Sequence, residues 1–479
     1  MKKILFVGAE VMPFAATGGL GDVLGSLPAS IKREYGDDAD VRVAMPLYDM
    51  IGDSWRSQMK LEAVFNLQLS WRNLYCGVKS LTKDGVTFYF IDNEYYFKRG
   101  SLYGHFDDGE RYAYFCKAVV EMLGVLDFYP DVLHINDWQA ALTIPYLNFM
   151  YRGKKEYQNI KTVFTIHNIE YQGKYSTDIL SDVFGFGEYA LERLEYGGCI
   201  NLMKCAIEMA DAVTTVSPRY ADEIKGVEHS HGLAPVLNGN AHKLSGILNG
   251  IDYEYYNPET DTVIAQSFSA DSIGKKSANK TELQRELGLP EREDVPMIAI
   301  ISRLASHKGL DLVRDVAYRV LDEHDAQLVV LGKGEADYES FFVGLENNRW
   351  NKARALIKYD RDLSKRIYAA ADLFVMPSKS EPCGLSQMIA SRYGAIPIVR
   401  ETGGLFDSIK GYWEKDGELL GNGFTFANYS SYELYDRICA ALELYYNKDV
   451  YERFVKKIMN TDFSWGVSAR KYMELYNRI

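Results

Sequence analysis

The chain has 479 residues, 47% hydrophobic and 25% charged, with a formal net charge of −12. At about 100–200 residues per domain this length predicts two or three domains of ordinary globular composition. An acidic chain repels nucleic acid and anionic membrane surfaces, so neither is an expected partner, and an anionic small ligand needs a local basic site.

The N-terminus, Met1-Lys2-Lys3 followed by a short apolar run broken at Glu10, reads as a buried strand rather than a signal peptide. Further apolar runs at 41–45, 86–91, 132–135, 163–166 and 212–216 predict strands covered on both faces, as in a parallel sheet. Helical spacing lies between them, for instance at 111–126 and 139–150. Residues 61–90 alternate more and turn at Asp84-Gly85, which predicts antiparallel hairpins appended to the sheet. The second half repeats the rhythm, with strands expected at 297–302, 328–332, 356–359, 373–377 and 396–399, each followed by a helix.

Residues 252–280 are polar and read as a linker or surface excursion. The expected division is 1–246, 247–460 and a C-terminal amphipathic helix over 461–479, which carries Trp465, Tyr472, Leu475 and Tyr476 on its apolar side and packs back toward the first domain. No run of about 18 apolar residues exists to span a membrane. Six cysteines without a C-x-x-C pair suggest neither a disulfide scaffold nor a metal site, and the expected location is the cytoplasm. The 35 tyrosines offer faces for sugar rings, or are ordinary core aromatics; their count decides nothing.

Ligands of open parallel sheets bind beyond the carboxyl ends of the strands, so two such sheets facing each other would line one cleft. The polar clusters indeed fall just after predicted strands. Ala16-Thr17-Gly18-Gly19 follows the first strand; the paired glycines either let a phosphate approach a helix N-terminus or simply make a turn. Asp137, after the 132–135 strand, is either an N-cap or a functional carboxylate. His167-Asn168 ends the next strand, where a core histidine and a functional one are equally good readings. Arg303 and Lys308, five apart in one loop, form a diphosphate clamp or are solvated surface charges. Glu381-Pro382-Cys383-Gly384-Leu385 precedes a helix whose N–H groups suit an anion, and Thr402-Gly403-Gly404 opens another helix in the same way.

Taken in order, T-G-G-L-G-D-V (17–23), H-I-N-D-W-Q (134–139), T-I-H-N-I-E-Y-Q-G (165–173), K-L-S-G-I-L-N-G-I-D (243–252), S-R-L-x-x-x-K-G-L-D-L (302–312) and S-E-P-C-G-L-S-Q (380–387) closely resemble bacterial glycogen synthases and plant starch synthases. The resemblance spans nearly the whole chain. It implies an α/β fold of two Rossmann-like domains facing across a cleft (GT-B), and glucosyl transfer from ADP-glucose to the non-reducing end of an α-1,4-glucan with retention. It also implies site roles. Arg303 and Lys308 would hold the donor diphosphate, Glu381 would support an oxocarbenium-like transition state, and Asp137 would lie near the reacting centre or acceptor. His167 and Asn249 would contact the glucosyl group. Ala16, Thr17, Gly18, Gly19, Cys383, Gly384 and Leu385 would complete the donor site. No metal or other cofactor is implied, since cationic side chains and helix N-termini take that part. Retention without an obvious nucleophile favours front-side displacement, with a covalent glucosyl-Glu381 as the alternative.

One position departs from the family pattern: Ala16 stands where K-T-G-G-L has lysine. Losing one charge-assisted contact weakens donor stabilisation by roughly 1.5–3 kcal/mol if nothing compensates. Two other readings follow: a UDP-glucose-dependent transferase with a small acceptor, and a degenerate, non-catalytic polyglucan-binding homologue.

Overall fold

The apolar runs of the first half form one nine-stranded sheet in the computed structural model, which describes residues 1–479. Its strands are β1 (Lys2–Val7), β2 (Ala39–Pro46), β3 (Lys60–Leu69), β4 (Arg72–Lys83), β5 (Val86–Asp92), β6 (Val132–Asn136), β7 (Lys161–Ile166), β8 (Ala212–Thr215) and β9 (Leu244–Gly246). They lie in the order β9-β8-β7-β6-β1-β2-β5-β4-β3. Pairing is parallel from β9 to β5 and antiparallel through β5-β4-β3, the hairpins that alternation predicted. The second half forms an all-parallel sheet of β10 (Met297–Ile301), β11 (Gln327–Leu331), β12 (Ala353–Leu356), β13 (Leu373–Met376), β14 (Ile396–Arg400) and β15 (Phe424–Phe426), ordered β12-β11-β10-β13-β14-β15. Central strands are buried along nearly their whole length, as unbroken Val, Ile, Leu and Phe runs require when helices cover both faces.

The helices that position functional loops are α1 (Gly19–Tyr35), α2 (Asp108–Val125), α3 (Asp137–Ala141), α4 (Lys276–Leu287), α5 (Leu310–Glu323), α6 (Arg361–Ala370), α7 (Ser386–Arg392), α8 (Gly403–Ser408) and α9 (Trp465–Arg478). The single helix expected over 139–150 is broken: α3 gives way to a turn at Thr143–Tyr146 and a π-turn at Leu147–Tyr151. Pro145 has no N–H to continue the α-helical ladder.

The chain divides into Met1–Asn249 together with Trp465–Ile479, and Gly250–Ser464. In the first unit α9 packs its apolar side inward. The Tyr476 hydroxyl lies 2.6 Å from His134 Nδ1, Ser468 Oγ donates to the Leu248 carbonyl at 2.5 Å, and Arg470 pairs with Glu34 at 3.0 Å. His134 is buried between Tyr476 and Thr165, whose hydroxyl continues to Thr214, so one polar chain links α9 to three neighbouring strands.

In the second unit, the polar stretch expected as a linker ends in a buried helix. The inner face of α4 is Lys276, Asn279, Lys280, Leu283 and Gln284. Lys276 Nζ donates to the carbonyls of Tyr368, Ala369 and Tyr393 at 2.7–3.1 Å, and burial pushes its ammonium down to about 7. Lys280 pairs with Asp372 at 2.6 Å, and Gln284 bonds Gln327 and Arg292. Polar composition here signals satisfied buried groups rather than solvent exposure. The strand expected at 356–359 lies three residues earlier, at β12. Arg354 interrupts its apolar run and donates instead to the carbonyls of Leu287 and Gly288 at the end of α4.

Candidate active site

Among the parallel strands of each sheet the order reverses once, and at such a point the loops leaving two neighbouring strands diverge and open a crevice. In the first unit the reversal falls between β1 and β6, and in the second between β10 and β13. The candidate residues leave from the strands at these two places and from β7 beside the first, except Asn249, which follows β9 at the edge of the sheet.

After β1, the Ala16–Gly19 turn is built around Glu10, which is 5% exposed. Its carboxylate accepts from Thr17 N–H at 2.5 Å, Thr17 Oγ1 at 2.9 Å, Gly18 N–H at 3.1 Å and Tyr103 Oη at 2.6 Å. The expectation that this turn offers its amides to a phosphate is therefore corrected: two of those N–H groups are already held by an internal anion. Ala16 is half-buried, while Thr17, Gly18 and Gly19 are exposed. A Cβ added at Gly18 or Gly19 would meet nothing within 4 Å, and neither glycine has a positive φ. Nothing inside the protein demands glycine there.

After β6, Asp137 opens α3 with φ +56°, a left-handed conformation rare for aspartate. It does not cap its own helix, which removes the N-cap reading. Its Oδ1 instead accepts the backbone N–H of His167 at 2.8 Å, across the end of β7. Burial pushes the carboxyl up to about 7, against the pull of the His167 and Asn168 amides. His167 Nε2 lies 2.9 Å from Asn136 Oδ1, and burial lowers the imidazole to about 3, so the ring is neutral near pH 7. Asn249 ends the first unit's long segment; it is 6% exposed, and its amide oxygen has no partner.

In the second unit the β10 loop carries Arg303 and Lys308. Arg303 is exposed and its guanidinium makes no hydrogen bond or ion pair within the protein. Lys308 instead pairs with Glu381 Oε2 at 2.6 Å, and Ser378 Oγ donates to the same oxygen at 3.0 Å. Lys308 and Glu381 thus stand as one neutral couple, while Arg303, on the same loop as Lys308, keeps its charge unpaired. Gly309 locks the two loops together: at φ +70°, a Cβ there would lie 2.1 Å from the Pro377 carbonyl oxygen.

The helix expected to begin near Gly384 begins at Ser386, with Leu385 as its N-cap residue. Gly384 takes φ +71°, and the N–H groups of Gly384 and Leu385 make no hydrogen bond within the protein. Cys383 is 6% exposed, and its carbonyl accepts from Gln387 Nε2 at 3.3 Å. Thr402-Gly403-Gly404 is not a second anion site of the same kind. The Gly404 N–H donates to the Glu381 carbonyl at 3.1 Å, so α8 buttresses the Glu381 loop from behind. Sequence reasoning missed Glu10, Asn136 and Ser378. Only Asn136 stood inside a motif, with Ser378 two residues before the last one, and none carried a signal of its own.

The family model for the starch synthase catalytic domain matches residues 3–239, and that for glycosyl transferases group 1 matches residues 280–460. The chain is 46% identical to a glycogen synthase of Bacillus cereus, covering 100% of this chain and 99% of the relative. It is 44% identical to the glycogen synthase of Bacillus subtilis, covering 100% and 98%. Among solved structures it is similar to the catalytic domain of starch synthase IV from Arabidopsis thaliana bound to ADP and acarbose, with TM-score 0.90, 36% identity and coverage of 100% and 99%. A sucrose-phosphate synthase from Thermosynechococcus elongatus shares the fold, with TM-score 0.62 at 16% identity and coverage of 100% and 99%. With these relatives and this two-sheet α/β architecture, the chain belongs to the starch synthase and glycogen synthase family of glycosyltransferases.

Proposed function

We propose that the chain transfers the α-D-glucosyl group of ADP-glucose to the non-reducing end of an α-1,4-glucan, with retention. The observation that carries this is the grouping of Arg303, Lys308 and Glu381 on the two loops that bracket the strand reversal of the second sheet. The ADP held by the starch synthase IV relative supports the choice of nucleotide, and the glycogen synthase relatives support the acceptor.

The chemistry follows from the charges. Breaking the bond between C1 and the phosphate oxygen leaves negative charge on the diphosphate and positive charge on the sugar. Arg303, Lys308 and the unbonded N–H groups of Gly384 and Leu385 meet the first; the Glu381 carboxylate meets the second. The acceptor hydroxyl attacks from the face the diphosphate leaves, and its proton passes to the departing phosphate oxygen. Asp137 acts near the acceptor, while His167 and Asn249 contact the glucosyl group. Gly18 and Gly19, which no neighbour or backbone angle requires, leave room for the donor. With charge met by side chains and amides, turnover needs no metal, and chelation leaves it unchanged. None of the six cysteines is in a disulfide, which suits a cytoplasmic setting, and no helix is long and apolar enough to cross a membrane.

The experiment is transfer of labelled glucose from ADP-glucose and from UDP-glucose into glycogen and into small acceptors. Fast transfer from ADP-glucose to glycogen, lost in Arg303→Ala and Glu381→Ala, is the expected outcome. Either variant working as fast as the unaltered chain, or a preference for UDP-glucose and small acceptors, overturns the proposal.

A further inference from the structure

We propose that Asn136 is a positioning residue that fixes the tautomer of His167, so that His167 offers the lone pair of Nδ1 to a hydroxyl of the glucosyl group; this rests on the glucosyl-transfer reading above. Asn136 ends β6 and is 1% exposed. Its Nδ2 donates to the carbonyls of Val7 at 3.3 Å and His134 at 3.2 Å. These two bonds decide which way the amide faces, because turning it over would set its oxygen against two carbonyl oxygens. Oδ1 is therefore the atom that meets His167 Nε2 at 2.9 Å.

An amide oxygen only accepts hydrogen bonds, so Nε2 carries the proton and Nδ1 of the neutral ring is left as an acceptor. Nδ1 makes no hydrogen bond within the protein and is not sealed from solvent. The ring's base is held too, since the His167 N–H donates to Asp137 Oδ1. The arrangement has a chemical use. A neutral acceptor draws a sugar hydroxyl's proton toward itself and leaves that oxygen more electron-rich as positive charge grows on the ring, whereas an imidazolium would oppose that charge.

The test has a spectroscopic and a kinetic arm. Protein labelled with ¹⁵N-histidine, which has eight histidines, is examined by long-range ¹H–¹⁵N correlation near neutral pH, with His167 assigned by the signal lost in His167→Ala. The unaltered protein should show His167 protonated at Nε2, and Asn136→Ala should shift it toward the Nδ1-protonated form or a mixture. In glucose transfer from ADP-glucose to glycogen, Asn136→Ala should lower kcat/KM about tenfold, the worth of one hydrogen bond. The double variant should fall no further than His167→Ala alone. An Nδ1-protonated ring in the unaltered protein, a tautomer indifferent to Asn136, or losses that multiply in the double variant would overturn the inference. If the unaltered protein transfers no glucose at all, the reaction reading fails, while the spectra still decide the tautomer.

Discussion

Ala16 leaves the first loop with a carboxylate at its centre and no cation of its own, because Glu10 takes the Thr17 and Gly18 amides while the family's lysine is missing. Ala16→Lys should therefore raise kcat/KM for ADP-glucose by about 10- to 100-fold, the worth of one charge-assisted contact. Steady-state kinetics with varied donor check this, and unchanged constants would show that Arg303 and Lys308 already suffice. Asp137 allows a second prediction, on stability. Its folded-state value of about 7 lies above the ordinary 3.8 because burial disfavours the charge, so across that window the native state holds a proton the unfolded chain has released. Stability contributed by this residue therefore falls as pH rises through the window. Asp137→Asn should melt at higher temperature than the unaltered protein, with a gap that widens from about pH 4 to about pH 7 and is level above. Relief of the left-handed backbone adds an offset that does not vary with pH. A gap constant at every pH would contradict burial as the cause. Transfer activity should fall in the same variant.

Loops and helices hold these side chains by close backbone approach, and that makes their failures selective. A Cβ at Gly403, where φ is +42°, would lie 2.0 Å from the Glu381 carbonyl oxygen. Gly403→Ala should displace the Glu381 loop and lower kcat by about 100-fold, the usual cost of a misplacement near 1 Å. Gly18→Ala, set in open space, should leave melting unchanged and raise the donor KM alone. Turnover of Gly403→Ala equal to that of the unaltered enzyme would show that α8 does not support the site. In α4, Lys280→Met would leave Asp372 charged and buried, at a cost of about 3–5 kcal/mol by denaturant unfolding. That helix also marks where the sequence stopped being legible. Strands β1, β10 and β13 announce themselves as unbroken apolar runs, β6 as one broken only by His134, and the motifs fall at their ends. The inner face of α4 is written in Lys, Asn and Gln, whose burial depends on carbonyls supplied by α6 and by Tyr393 beyond α7. No local pattern reveals such distant partners. Glu10 was hidden for the same reason, since the T-G-G signal points outward to a ligand while its amides turn inward.

Across the molecule, both sheets place their functional loops where the strand order turns, which is how residues as far apart in sequence as Lys308 and Glu381 come to lie 2.6 Å apart. Such architecture was readable from the alternation of strands and helices alone, whereas β9 and β15 were not, each being only three residues long. The first unit takes its last element from the chain's end. Deleting residues 465–479 should speed amide hydrogen exchange in β6, β7 and β8, where His134, Thr165 and Thr214 would lose their link to Tyr476, and leave β10 to β14 as protected as before. Equal protection in both sheets would show that α9 is dispensable.

During synthesis this threading sets an order of events. Residues 250–464 emerge before α9 does, so the later-translated half can reach its native state first, and the earlier half waits with His134 uncovered until α9 follows. A released chain ending at Ser464 should accordingly yield a protease-resistant second half and a first half still open to cleavage.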